Sequence, residues 1–88
     1  MKLLWQRRAR EDYERWRQTD PAVYKIINAL IRDIQQRPYQ GLGRPKALQL
    51  NLKGWWSREI TAEHRLVYRV RAKGGKSVLE IAQCRFHY

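Results

Sequence analysis

Apolar positions recur along the chain with two different periods. Between residues 20 and 37 they fall at Val23, Ile26, Ile27, Leu30, Ile31 and Ile34, a spacing that keeps all six on one side of a helix. Thr19 or Asp20 can cap that helix and Pro21 suits its first turn. The helix should stop before Pro38, because proline disfavours a helical backbone at the residue preceding it. A shorter helix is expected over Ala9–Gln18, where Tyr13 and Trp16 stand three apart. Further on the period shortens to two. Trp55–Thr61, Arg65–Arg71 and Ser77–Phe86 are enriched in β-branched and aromatic residues and read as strands. Met1–Trp5 reads as a short first strand, and the alternation of Leu48, Leu50 and Leu52 predicts another before Lys53-Gly54. In the last run apolar groups occupy both parities, Val78 and Ala82 on one and Leu79 and Ile81 on the other, as expected of an interior strand. Short loops between these strands imply an antiparallel meander with two helices packed on one face, an α+β domain spanning residues 1–88.

Charge changes this picture. The 88 residues carry 19 Lys and Arg against 8 Asp and Glu, a net +11. Residues 1–34 contribute eight basic and five acidic groups, and residues 35–88 eleven and three, so the excess sits on the sheet half. Such a field favours phosphate-rich or acidic partners. With 43% hydrophobic residues, the chain is not a disordered polycation. The lone Cys84 excludes an internal disulfide and suits a reducing cytoplasm. Leu3-Leu4-Trp5 is too short an apolar run for a signal peptide or membrane span, so no membrane association is expected.

Candidate chemistry is confined to a few places. Gly41-Leu42-Gly43 lacks the preceding strand and third glycine of a dinucleotide fingerprint and reads as a turn. His64, Cys84 and His87 lack the paired spacing of a zinc site, so neither metal nor cofactor is expected. Cys84, within an apolar strand, reads as a buried thiol. Glu63-His64-Arg65 and Arg85-Phe86-His87-Tyr88 keep more suggestive company. Cleaving an RNA phosphodiester needs a base for the 2′-hydroxyl, positive charge on the phosphorane and an acid for the departing 5′-oxygen. Histidine and arginine supply these near neutral pH, and tyrosine can stack a base or donate a hydrogen bond. From residue types alone, a nuclease and a non-catalytic nucleic-acid binder both stay open. Arg44, Lys46, Lys53, Arg58 and Arg85 are the candidate RNA-binding residues of the basic half.

Trp56-Ser57-Arg58, Ile60-Thr61, Glu63-His64-Arg65-Leu66-Val67-Tyr68 and Cys84-Arg85-Phe86-His87-Tyr88 together resemble the YoeB/Txe toxins of bacterial type II toxin–antitoxin systems, within the RelE superfamily. The resemblance runs nearly end to end. It implies a fold like that of the small microbial ribonucleases, two N-terminal helices on a twisted antiparallel sheet. It implies metal-free, ribosome-dependent cleavage of messenger RNA at the A site, leaving a 5′-hydroxyl and a 2′,3′-cyclic or 3′-phosphate end. Implied partners are a YefM-like antitoxin, the ribosome and its RNA, with a homodimer or a toxin–antitoxin heterocomplex as the assembly. By the same resemblance His87 is the general acid, Arg65 the transition-state clamp, Tyr88 a site residue and Glu63 a neighbour that orients Arg65. One stretch departs. The family usually has Gly-Lys-Pro-Glu-Pro-Leu, with the glutamate taken as general base, and here Gly43-Arg44-Pro45-Lys46-Ala47-Leu48 stands in its place. Two alternatives are then open: Glu63 or His64 serves as base, or Lys46 stabilises charge, as lysines do in the RelE branch. The alternatives are a translation inhibitor that binds without cutting and a ParE-like gyrase inhibitor.

The hairpin imposes a geometric condition. With a two-residue Gly74-Gly75 turn, Arg69 faces Glu80 and Arg65 faces Cys84, and strict alternation sends Arg65 and His87 to opposite sides of the sheet. A shared site therefore requires a longer Lys73–Lys76 loop, a bulge, or a tail that bends after Cys84.

Overall fold

A computed structural model describes residues 1–87; Tyr88 lies outside the described residues. The chain forms β1 (Lys2–Trp5), α1 (Arg7–Thr19), α2 (Pro21–Gln36), β2 (Lys46–Ala47), a 3₁₀ turn (Leu50–Leu52), β3 (Trp56–Glu59), β4 (Arg65–Lys73) and β5 (Lys76–Gln83). The Asp20 carboxylate accepts the Val23 N–H and caps α2, with Pro21 in the first turn as its fixed φ favours. Val23, Ile27, Leu30, Ile31 and Ile34 bury the expected stripe, each contributing about 1.5–3 kcal/mol relative to exposure. Ile26, at the margin of the stripe, stays exposed. These residues meet Leu66, Tyr68, Leu79 and Ile81 from the sheet and Cys84 just beyond it, with Ala9 of α1 closing the core.

The sheet order is β1-β5-β4-β3-β2. β2 to β5 pair antiparallel, but β1 lies parallel to β5, with Lys2 beside Val78 and Trp5 beside Ile81. The sheet is therefore mixed: α1 and α2 carry the chain to the far edge at β2, and the meander from β2 to β5 brings the last strand back beside the first. The alternating leucines do not make a strand. Leu48 is buried, whereas Leu50 sits at φ 56° in the 3₁₀ turn and is 90% exposed. The paired segment there is instead Lys46–Ala47.

Gly74 and Gly75, both at positive φ, make the two-residue turn, and Arg69 faces Glu80 as the register predicted. The regular hairpin then breaks. Tyr68 faces Ile81 but Val67 faces Gln83, so β5 carries one extra residue, Ala82, at a bulge. The strand ends at Gln83, short of the expected Phe86, and the chain bends through Cys84, Arg85 and Phe86. Bulge and bend together meet the geometric condition for a shared site. Among the described residues no helix is long and apolar enough to cross a membrane.

Candidate functional site

Residues paired across an antiparallel sheet share a face. On the face turned away from the helices, Lys46, Ser57, Val67 and Gln83 stand in one row across four strands. Arg65 stands beside Glu59, and Arg69 beside Glu80 with Arg71 next along β4. Burial pushes the Glu80 carboxyl up, but hydrogen bonds from Gln6 and Arg69 and the charge of Arg71 outweigh it and hold it below the usual range. The Trp55 ring lies 4.4 Å from the Arg69 guanidinium. This is a positively charged, partly aromatic surface on a rigid floor.

Arg65 is placed by the loop before it. The Thr61 hydroxyl accepts the N–H groups of Glu63 and His64, folding residues 61–64 into a tight turn. The carbonyls of Thr61, Ala62 and His64 then converge on Arg65 Nη1 at 2.7, 3.2 and 3.1 Å. Among the described residues Nε and Nη2 have no partner, leaving one edge of the fork for a ligand. Carbonyls, and not Glu63, orient this guanidinium, and Glu63 itself is exposed at the apex of the turn.

The tail comes back to the same place. The Arg65 N–H donates to the Phe86 carbonyl at 3.1 Å. The Phe86 N–H donates to His64 Nδ1 at 2.8 Å, which puts the ring proton on Nε2 and commits Nδ1 to structure. The His64 ring lies edge-on to Trp16, whose indole N–H donates to the Cys84 carbonyl. Phe86 adopts φ 62°, and His87 follows, exposed. Arg65 and the segment bearing His87 are thus joined backbone to backbone.

Residues 5–88 match the family model for the YoeB-like toxin of bacterial type II toxin–antitoxin systems. The chain belongs to this toxin family. Toxin YoeB of Escherichia coli K12 is 48% identical over the full length of both chains. The YoeB/ParE toxin structure from Agrobacterium tumefaciens is 50% identical over both full chains, with a TM-score of 0.95. The Staphylococcus aureus YoeB dimer matches at 37% identity over 100% of this chain and 98% of that one, TM-score 0.89, and the YoeB of the heterotetrameric YoeB–YefM complex from the same organism at 0.87 with the same identity and coverage.

Against that YoeB-like frame, the residues expected to bind RNA divide. Arg44, at φ 51°, and Lys46 and Lys53 are exposed at the β2 edge. Gly43 sets up this edge: its carbonyl accepts the Glu59 N–H at 2.7 Å, and a Cβ there would lie 2.9 Å from the Glu59 carbonyl oxygen. Arg58 was expected to contact RNA, but the fold buries it completely. It points to the helix side and gives its five N–H groups to Tyr68 Oη, Asp33 Oδ2 and the carbonyls of Arg37, Gln40 and Leu42. Its role is to hold the loop after α2. Bonds from Arg37 and Arg58 and from the Leu42 N–H hold the Asp33 carboxyl well below the ordinary aspartate range. Arg85 also departs from expectation, pairing with Asp12 of α1 at 3.9 Å and covering the Phe86 ring; it fastens the tail to the helix. Burial pushes the Cys84 thiol up to about 12, so it stays protonated. Tyr88, the remaining site expectation, lies outside the described residues.

Sequence reasoning missed Gln83, Arg69 and Arg71. The two arginines carried a signal, their shared parity with Arg65, whereas Gln83 carried none until the bulge was located.

Proposed function

We propose that this toxin is a ribosome-dependent endoribonuclease that cuts messenger RNA at the A site. The observation that supports it best is the junction of Arg65 with the His87 segment on the basic open face, the Arg65 N–H bonded to the Phe86 carbonyl. In the reaction a base removes the proton of a 2′-hydroxyl and the freed oxygen attacks the adjacent phosphorus. The free edge of Arg65 takes the phosphorane oxygens, where a preorganised cation counts most. Protonated His87 gives its proton to the 5′-oxygen as the P–O bond breaks, leaving a 2′,3′-cyclic phosphate and a 5′-hydroxyl. Lys46, about 10 Å from β4 by two strand spacings, adds positive charge where the family usually keeps glutamate. Since His64 Nδ1 holds Phe86, the exposed Glu63 is the better candidate for the base. Tyr88, next to His87 in sequence, is a further candidate site residue by the family resemblance alone.

The partner reading follows from relatives and charge. The Staphylococcus aureus neighbour is a YoeB–YefM complex, and a net charge of +11 suits an acidic antitoxin segment across the same face. A dimer of this chain fits the YoeB dimer of that organism.

Primer extension on a message under translation tests the activity. Wild-type protein should produce new 5′ ends that vanish with His87→Ala. The exposed Lys46 favours a second reading, binding without cleavage. Translation that stops while the message stays intact would establish it.

A further inference from the structure

We propose that Gln83 is a positioning residue that sets the His87 segment over Arg65, an inference resting on the cleavage reading above. The Ala82 bulge turns Gln83 onto the open face, opposite Val67. From there its Nε2 reaches back over the bend and donates to three successive carbonyls, Arg85 at 2.9 Å, Phe86 at 3.1 Å and His87 at 3.0 Å. A primary amide has two N–H groups, so at least one of them is shared between two carbonyls.

The contact answers a specific local need. Phe86 sits at φ 62°, a left-handed conformation costing a non-glycine residue on the order of 1–2 kcal/mol. That bend is what brings the Phe86 carbonyl to the Arg65 N–H. His64 accepts from the Phe86 N–H on one side, and Gln83 gathers the carbonyls on the other. Residues 85–87 bury little apolar surface of their own: Phe86 and His87 are exposed and Arg85 is only partly buried. Without the amide, the bend keeps fewer bonds to offset its strain, and an extended tail moves His87 away from the guanidinium. Gln83 touches carbonyls only, so it acts through the position of the histidine.

The test compares wild type with Gln83→Met, which keeps length without a donor, and Gln83→Lys, whose ammonium supplies three donors to the same carbonyls. Two readouts are taken on the full chain. One is the order of the Phe86 and His87 amides by heteronuclear NOE and hydrogen exchange. The other is single-turnover cleavage on programmed ribosomes, with ribosome affinity measured separately. Gln83→Met should loosen both amides and slow cleavage about 10–100-fold at saturating ribosome, with affinity within about twofold and the thermal midpoint nearly unmoved. Gln83→Lys should restore tail order and rate together. Amide order unchanged in Gln83→Met, a loosened tail that cleaves at the wild-type rate, or failure of Gln83→Lys to rescue would each overturn the proposal. If the wild type cuts nothing, the cleavage reading fails by itself. Amide order then decides the clamp: loss in Gln83→Met with recovery in Gln83→Lys upholds it, and unchanged order removes it.

Discussion

The two faces of the sheet use the same strands to opposite ends. Toward the helices, Leu66, Tyr68, Leu79 and Ile81 are fully buried, and the one guanidinium among them, Arg58, has all five N–H groups occupied. On the other face Arg65 commits one nitrogen to carbonyls and, among the described residues, leaves the rest unpartnered, while Arg69 and Arg71 hold Glu80 from partly exposed positions. Both faces carry arginine, so charge alone does not distinguish structure from site. The difference is saturation. A guanidinium with no donor left holds the fold together, and one with donors to spare can bind.

That contrast breaks most easily at Arg58. Arg58→Ala takes one of three donors from the Asp33 carboxylate and leaves the carbonyls of Arg37, Gln40 and Leu42 without the guanidinium, and should cost about 3–5 kcal/mol of unfolding free energy, read from urea midpoints. A loss below about 1 kcal/mol would mean the buried network is dispensable. Arg65→Ala is the mirror experiment. Cleavage should fall about 10²–10³-fold while the urea midpoint barely moves, since only one edge of the side chain is tied down. A variant that unfolds instead would dissolve the distinction between the faces.

Acid titrates the same contrast. The folded carboxyl of Asp33 is held low by Arg37, Arg58 and the Leu42 N–H, so its stabilising contribution is complete above the ordinary aspartate value of about 4 and drains away as pH falls below it. The gap in urea midpoint between wild type and Asp33→Asn should therefore hold from pH 7 to pH 5 and narrow steadily as pH falls from 4 to 2. A gap that persists undiminished at pH 2 would assign the effect to packing. The smallest effect is expected at the sheet edge. Lys46→Ala should weaken RNA or ribosome binding and lower the salt-dependence slope by about 0.7–1, with no change in stability. An unchanged slope would remove Lys46 from the interface.

Legibility followed the range of the interactions involved. The α2 stripe and the Gly74-Gly75 turn are local, and both stand where periodicity and turn chemistry put them, with Arg69 facing Glu80. The alternating leucines misled because alternation is also what a 3₁₀ turn with one exposed leucine looks like. Arg58 was misread because its burial depends on Asp33, 25 positions away, and on loop carbonyls that no spacing reveals. In the candidate site, Arg65 and His87 stood out as residue types, and the need for a bulge or bend to unite their segments followed from parity. Where the bulge falls was not legible, since it is set by how the bent tail seats against His64 and Trp16.

The parallel seam between β1 and β5 has a consequence in time. Gln6, just beyond the first strand, is bonded to a residue 74 positions away, and β5 is the strand that leads into the histidine segment. Local helices can form early, but contacts of such long range cannot close until nearly the whole chain is available. A growing polypeptide therefore holds no joined Arg65–tail surface while it is being made. Whatever the finished domain does, the proposed ribosome-dependent cleavage included, cannot begin before the final strand is in place.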